Sequence, residues 1–243
     1  MKIDVMGVRF DNLSKEEFLE RALEIISAGE KGYVVTPNAE IAYEAAHDAQ
    51  FRQLLNDAAL VLPDGAGVVL GAKLLGTPIR EKVAGIEFGD AICGAMAKTG
   101  GKVYLLGSKP GVAEQAGQKL MQKHPGLQIC GTADGYFQDE QAVVEKINAA
   151  KPDVLFVCLG APKQEKFMKA HFEALDTHLM LGLGGSLDGY AGIAQRAPRW
   201  MIDLSLEWLY RLIKEPKRLG RMMRLPKFVL LCVKEKGRRK KNG

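Results

Sequence analysis

The sequence predicts a doubly wound, mostly parallel α/β fold that ends in a helical, basic C-terminal appendage. Three observations carry that prediction. Short apolar runs at residues 33–35, 60–62, 103–106, 154–159 and 179–183 stop abruptly at turns rich in Gly, Pro or Asp, as strands buried on both faces do. Stretches with helical spacing separate these runs, and regular β–α alternation gives a parallel sheet covered by helices. The charge is also divided: residues 196–243 carry 15 Lys/Arg against four Asp/Glu, a net +11, whereas residues 1–195 carry a net −6. A basic segment behind a mildly acidic core points to a polyanionic surface or ligand.

Taken in order, residues 2–10 read as a small strand pair and residues 14–28 as a helix, with Ser14 and Glu17 forming a capping box and Gly29 closing the end. Two strands follow, one ending in Thr36-Pro37-Asn38 and the next in Pro63-Asp64-Gly65, with a single helical stretch over residues 39–58 between them. Both strands of such a unit point the same way. Thr36, Asn38 and Asp64 therefore fall at the carboxyl ends of neighbouring strands, where open α/β sheets bind ligands. Next come an apolar helix (68–75), a polar loop (80–85) and a helix (86–98).

A second set of βα units starts at residue 102. Strands at 102–107, 127–132, 153–159 and 179–183 alternate with helices that reach residues 123, 150 and 175. The division this implies is an α/β core, residues 1–195, with sub-regions of about 1–100 and 101–195, and an appendage, residues 196–243. In the appendage, residues 200–213 form an apolar helix that Pro216 breaks, and the apolar run 228–233 leads into a basic tail. Such a segment can lie in the interface of an anionic membrane.

A hydrophobic content of 47% in 243 residues is ample for a packed core. The four cysteines are scattered without CxxC or Cys/His clustering, so neither a disulfide nor a zinc site is expected, and a reducing, cytoplasmic location follows. The N-terminus has no signal pattern, and no apolar run approaches the roughly 18 residues of a membrane span.

Asp64, an acid at a strand end beside Gly65-Ala66-Gly67, suits a catalytic base; an Asp-Gly turn or helix cap would use the same residues. Thr36 and Asn38 offer a hydroxyl and an amide to a sugar, and Asn38 equally suits a cap. The turns at Gly107–Gly111, at Gly160–Gln164 and at Gly184-Gly185 supply backbone N–H groups at helix starts, which favour a phosphate or diphosphate. None has the GxGxxG or GxxxxGK[ST] pattern, which disfavours NAD binding and NTPase activity. Tyr136 can stack on a base and Asp188 can hold ribose hydroxyls, although a half-buried tyrosine and a turn aspartate explain them too. The four histidines have no partner spacing. The chain contains no Asp-x-Asp, the usual metal–diphosphate clamp. Arg211, Arg218 and Arg221 can stabilise a leaving diphosphate in its place, or simply be surface charge. Nucleic acid is disfavoured, because the basic residues sit in a Leu/Met-rich amphipathic segment without an aromatic platform.

Thr36-Pro37-Asn38, Pro63-Asp64-Gly65, Asp134-Gly135-Tyr136, Gly160-x-Pro162-x-Gln164-Glu165, Gly184-Gly185, Arg196-Ala197-Pro198 and Glu207-Trp208 with Arg211, in this order, resemble the WecG/TagA/CpsF family of bacterial glycosyltransferases. The resemblance runs over nearly the whole chain, and the basic, Pro-punctuated tail is most similar to the TagA branch. It implies inverting transfer of N-acetylmannosamine from its UDP donor to undecaprenyl-diphosphate-linked GlcNAc, a step of wall teichoic acid synthesis at the inner face of the membrane. It further implies that no metal or other cofactor is bound, that Asp64 is the general base, and that Thr36, Asn38 and Gln164 line the pocket. The C-terminal arginines would fold over the site at the membrane. The chain departs from the family at Lys82, where an Arg is often found: the charge stays but the bidentate fork is lost. Other members use other UDP-sugars, and for a uronate donor either Lys82 or Arg80 would be the candidate cation. Exposed apolar faces on the tail can also drive assembly into a homo-oligomer.

Overall fold

The computed structural model describes residues 1–195, 197–203, 206–214, 220 and 223–242. The chain opens with an antiparallel hairpin, β1 (Lys2–Val5) and β2 (Val8–Asp11). Its two turn residues, Met6 and Gly7, both have positive φ (57° and 88°), the turn whose twist matches that of paired strands. Helix α1 (Lys15–Ser27) starts at the expected capping box: Glu17 N donates to Ser14 Oγ, and Ser14 N donates to the Glu17 carboxylate at 2.7 Å.

The core elements follow as β3 (Gly32–Val35), α2 (Ala39–His47), α3 (Ala49–Asn56), β4 (Leu60–Val61), α4 (Ala66–Leu74), α5 (Gly85–Thr99), β5 (Lys102–Gly107) and α6 (Val112–Lys123). Then come β6 (Gln128–Ala133), α7 (Glu140–Ala150), β7 (Val154–Cys158), α8 (Lys163–Ala170), β8 (Leu179–Gly182) and α9 (Ser186–Tyr190). The chain closes with α10 (Arg199–Asp203), α11 (Glu207–Lys214) and α12 (Arg224–Asn242). Strands β3 to β8 form one six-stranded sheet in the order β4-β3-β8-β7-β5-β6, with every pairing parallel.

The sheet is covered on both faces. Val34, Leu105, Phe156 and Leu181 pack with residues of α1, α5, α6 and α9 on one side. Val35, Leu106, Leu155 and Met180 pack on the other with the hairpin and with α2, α3, α4, α7, α8 and α12. This is the predicted doubly wound, Rossmann-like arrangement.

Three element boundaries differ from the sequence reading. In the appendage, the helix expected over 200–213 is two, α10 and α11, with Leu206 outside both. The helix expected over 39–58 is two helices, because Asp48 takes an extended backbone (φ −122°, ψ 105°), ends α2 and caps α3 by accepting from Phe51 N at 2.9 Å. A short acid that can bond the backbone ahead of it offers the chain an alternative to continuing the helix. Helix α8 stops at Ala170, short of Leu175, and residues 171–174 continue as turns.

Part of the basic tail packs directly on the core. In α12, Phe228 and Cys232 are fully buried in the α2/α4 face. Gly71 on α4 makes this approach possible: a Cβ there would stand 2.8 Å from the Phe228 ring. Arg224 pairs with Glu44 at 2.8 Å and Glu40 at 3.6 Å, both on α2. No described helix is long and apolar enough to cross a membrane.

Candidate active site

The strand order decides which loops meet. Along the carboxyl edge of the sheet lie, in sequence of position, the loops after β4 (Pro63, Asp64), β3 (Thr36, Asn38), β8 (Gly184, Gly185), β7 (Gly160), β5 (Gly107, Ser108) and β6 (Asp134, Tyr136). Strand β5 continues outward to β6, whereas β7 continues inward to β8. In open α/β sheets such a reversal of direction marks the crevice at the strand ends where ligands bind.

At one end of the row, Asp64 N donates to Pro37 O at 3.3 Å, which sets the half-buried Asp64 beside Asn38. Asn38 caps α2 as the sequence allowed, its Oδ1 accepting from Ile41 N at 3.0 Å. Thr36 is only 7% exposed, and its hydroxyl donates to Gly182 O at 2.9 Å. The hydroxyl that the sequence offered to a sugar thus ties β3 to β8 beneath the site.

Val83 N donates to Pro63 O at 3.0 Å and lays the 80–85 loop against the end of β4, carrying the half-buried Lys82 with it. Arg80 goes elsewhere. Its guanidinium donates to both Glu17 carboxylate oxygens (3.0 and 2.8 Å) and its backbone N–H to Asn12 Oδ1, so it holds the loop to α1 instead of joining Lys82 at the strand ends.

In the middle of the row, Gln164 lies 1% exposed at the start of α8. Its Oε1 accepts from Gly184 N and its Nε2 donates to Glu165 Oε1, each at 2.8 Å. The Gly184-Gly185 turn therefore gives its first N–H to Gln164, and Ser186 N bonds Leu183 O at 3.2 Å; neither is directed to a phosphate, contrary to the sequence reading for Gly184. Gly160 has φ 76°, and the Ala161–Pro162 peptide after it is cis.

Toward the far end, Gly107 (φ 133°) passes so close to β7 that a Cβ would lie 2.3 Å from Cys158 O. Ser108 Oγ donates to Asp188 Oδ1 at 2.9 Å, and Gly135 N donates to Ser108 O at 2.8 Å. Asp188 is thereby fixed over the β5 end. Tyr136, 64% exposed, stands on the rim with its backbone N–H bonded to Asp134 Oδ1 at 2.8 Å. Arg218 and Arg221 lie outside the described residues, as does the side chain of Arg211. Among the described residues, no three His, Cys, Asp or Glu side chains group as a metal site would require.

Two residues at this edge went unassigned in the sequence reading. Ser108 was visible only as part of a Gly turn, and its partner lies 80 residues on. Glu165 reads as an acid in the first turn of a helix, where it suits the helix dipole, and nothing local marks it as buried. It is 1% exposed, and its Oε2 has no hydrogen-bond partner among the described residues. Burial pushes its carboxyl up to about 7, opposed by the bonds from Gln164 and its own backbone and reinforced by Glu44 on α2, which Arg224 in turn holds.

A carboxyl raised in this way keeps its proton when folded and loses it when unfolded. Its contribution to stability is therefore full below about 4.5 and lost as pH rises to about 7. The loss is of order 3 kcal/mol at 1.36 kcal/mol per unit. Urea unfolding at pH 5 and pH 7.5 should show this decline in the wild type and not in Glu165→Gln; parallel behaviour of the two would contradict it.

A doubly wound parallel sheet that aligns a carboxylate, amides and glycine turns along its carboxyl edge defines a Rossmann-like α/β protein. The sequence pattern of the Glycosyl transferase WecG/TagA/CpsF family matches residues 3–242. The chain belongs to this family and is a glycosyltransferase. It is 38% identical over 207 residues (85% of this chain, 81% of the relative) to the N-acetylglucosaminyldiphosphoundecaprenol N-acetyl-beta-D-mannosaminyltransferase of Bacillus subtilis strain 168. The proteins of the same name from Bacillus spizizenii (36%, covering 83% and 79%) and Staphylococcus aureus strain MW2 (33%, covering 99% and 95%) are also similar.

Proposed function

We propose that this chain transfers N-acetylmannosamine from UDP-N-acetylmannosamine to undecaprenyl-diphosphate-linked N-acetylglucosamine, with inversion at the anomeric carbon, in the assembly of the wall teichoic acid linkage unit. The observation that carries the reading is the half-buried Asp64 carboxylate at the end of β4, packed beside Asn38 and the Lys82 loop, in a chain whose relatives share that acceptor and sugar in their names.

The Asp64 carboxylate takes the proton of the acceptor hydroxyl as that oxygen bonds to the anomeric carbon. The bond from that carbon to the UDP oxygen breaks on the opposite face, and UDP leaves with the electron pair. General-base assistance of this kind is worth roughly 10²–10⁴ in rate. Lys82, the N–H groups at the starts of α6 and α8, and Arg211, Arg218 and Arg221 offset the charge that develops on the departing diphosphate. Tyr136 and Asp188 suit the base and ribose of the nucleotide. The step needs no metal.

The acceptor is membrane-bound, and the tail suits that surface. Exposed Met223, Leu230 and Val233 of the α12 region alternate with Lys227, Lys234 and Lys236, and Trp200, Trp208 and Ile213 are exposed on the preceding helices. Apolar side chains interleaved with lysines favour peripheral binding at an anionic bilayer, here its cytoplasmic face.

Donor choice tests the reading. UDP-N-acetylmannosamine, UDP-N-acetylmannosaminuronate and UDP-glucose are each offered with the lipid-linked acceptor, with and without EDTA. Product from the first alone, of inverted anomeric configuration and formed at the same rate in EDTA, is expected. Product from another donor would replace the sugar, and loss of turnover in EDTA would introduce a metal.

A further inference from the structure

Gln164 is buried to 1% exposure, so in this structure it supports the site from beneath. It lies flat on Gly182, where an added Cβ would stand 3.1 Å from its Nε2. Gly182 is also the residue whose carbonyl accepts the Thr36 hydroxyl. The amide has one permitted orientation: Gly184 N is a donor and demands the oxygen, and the Glu165 carboxyl oxygen accepts from the nitrogen. A flipped amide would set its nitrogen against the Gly184 N–H, donor against donor.

We propose that Glu165 is a positioning residue of the donor site, which locks the Gln164 amide and through it the Gly184-Gly185 turn that closes β8 at the strand-end crevice. The assignment rests on the reading that this edge receives the diphosphate of a UDP-sugar. Glu165 is suited to the task because it cannot turn away. It is 1% exposed at the start of α8, and besides its own backbone N–H the Gln164 amide is the side-chain group that bonds its carboxyl. An unlocked turn would have to be ordered at the moment of binding, so affinity for the nucleotide falls.

The probe is UDP itself, with its dissociation constant measured by calorimetry on the full chain. At pH 9, above the value of about 7 to which burial raises Glu165, Gln164→Glu keeps the shape of the side chain but sets two carboxylates against each other, and should weaken UDP binding about tenfold, the loss that follows from one hydrogen bond of roughly 1.4 kcal/mol. In the double variant Gln164→Glu/Glu165→Gln the bond re-forms with its direction reversed, and UDP affinity should return to within about threefold of wild type. Glu165→Met, which fills the space without an acceptor, should match the single Gln164→Glu loss. Failure of the double variant to recover, or a Glu165→Met chain that is folded by circular dichroism and binds UDP like wild type, would overturn the proposal. Absence of UDP binding by the wild type would instead overturn the reading of the site as a UDP-sugar site.

Discussion

Asp64→Asn is expected to lower kcat by roughly 10²–10⁴, with the KM for the donor changed by no more than a few-fold. The substitution is isosteric and keeps an oxygen that can accept a hydrogen bond, so the turn that Asp64 makes after β4 can persist. Its backbone contribution, the bond to Pro37 O, does not depend on the side chain. What is removed is the capacity to take a proton from the acceptor hydroxyl as the new bond forms. Because that demand arises in the transition state and not in the bound substrate, the loss falls on kcat. Steady-state kinetics at saturating acceptor, beside a thermal melt to show that the variant is folded, make the check. A kcat within twofold of wild type would remove Asp64 from the role of base.

Phe228→Ala is expected to cost about 3–5 kcal/mol, the range for deleting a fully buried aromatic side chain. The ring sits at the seam between α12 and α4, against Gly71. The control is Leu230→Ala on the same helix: Leu230 is 54% exposed, and its loss should cost no more than about 0.5 kcal/mol. Hydrogen exchange shows where the cost appears. If α12 detaches as a unit, its amides lose protection while β5 and β7 keep theirs, and the tail proves separable from the core. If all protection falls together, α12 belongs to the same cooperative unit. Equal effects of the two substitutions would contradict the docked arrangement.

The helix concerned was read from sequence as a membrane-seeking tail. Its lysines and arginines support that reading, yet the residues that dock it are Phe228, Cys232 and Arg224, which meet Gly71, Glu40 and Glu44 more than 150 positions earlier. Composition describes the outward face of a helix well and the inward face only when its partner is known. The strand ends, by contrast, were legible. Each buried strand of a parallel sheet is a short apolar run, and the residue after it is where the chain must turn, so Thr36, Asn38, Asp64, Gly107, Gly160 and Gly184 could be placed along one edge before any geometry was known.

What those residues do with their polar atoms was not legible. The Thr36 hydroxyl is spent on Gly182 O, Arg80 on Glu17, Asp188 on Ser108 and the Gly184 N–H on Gln164; each of these bonds joins residues 20 or more positions apart. Local pattern carries no record of such pairings. The break at Asp48 was missed for a different reason: the apolar spacing runs on through it, and only the competition of a carboxylate for the next backbone N–H ends the helix.

Transfer to the lipid-linked acceptor is tested most simply by the release of UDP from UDP-N-acetylmannosamine by the wild-type chain, with and without an undecaprenyl-diphosphate-linked N-acetylglucosamine acceptor on anionic vesicles. Release should require the acceptor and yield one equivalent of glycosylated lipid for each UDP. Release at the same rate without acceptor, or none with both substrates present, would contradict such transfer.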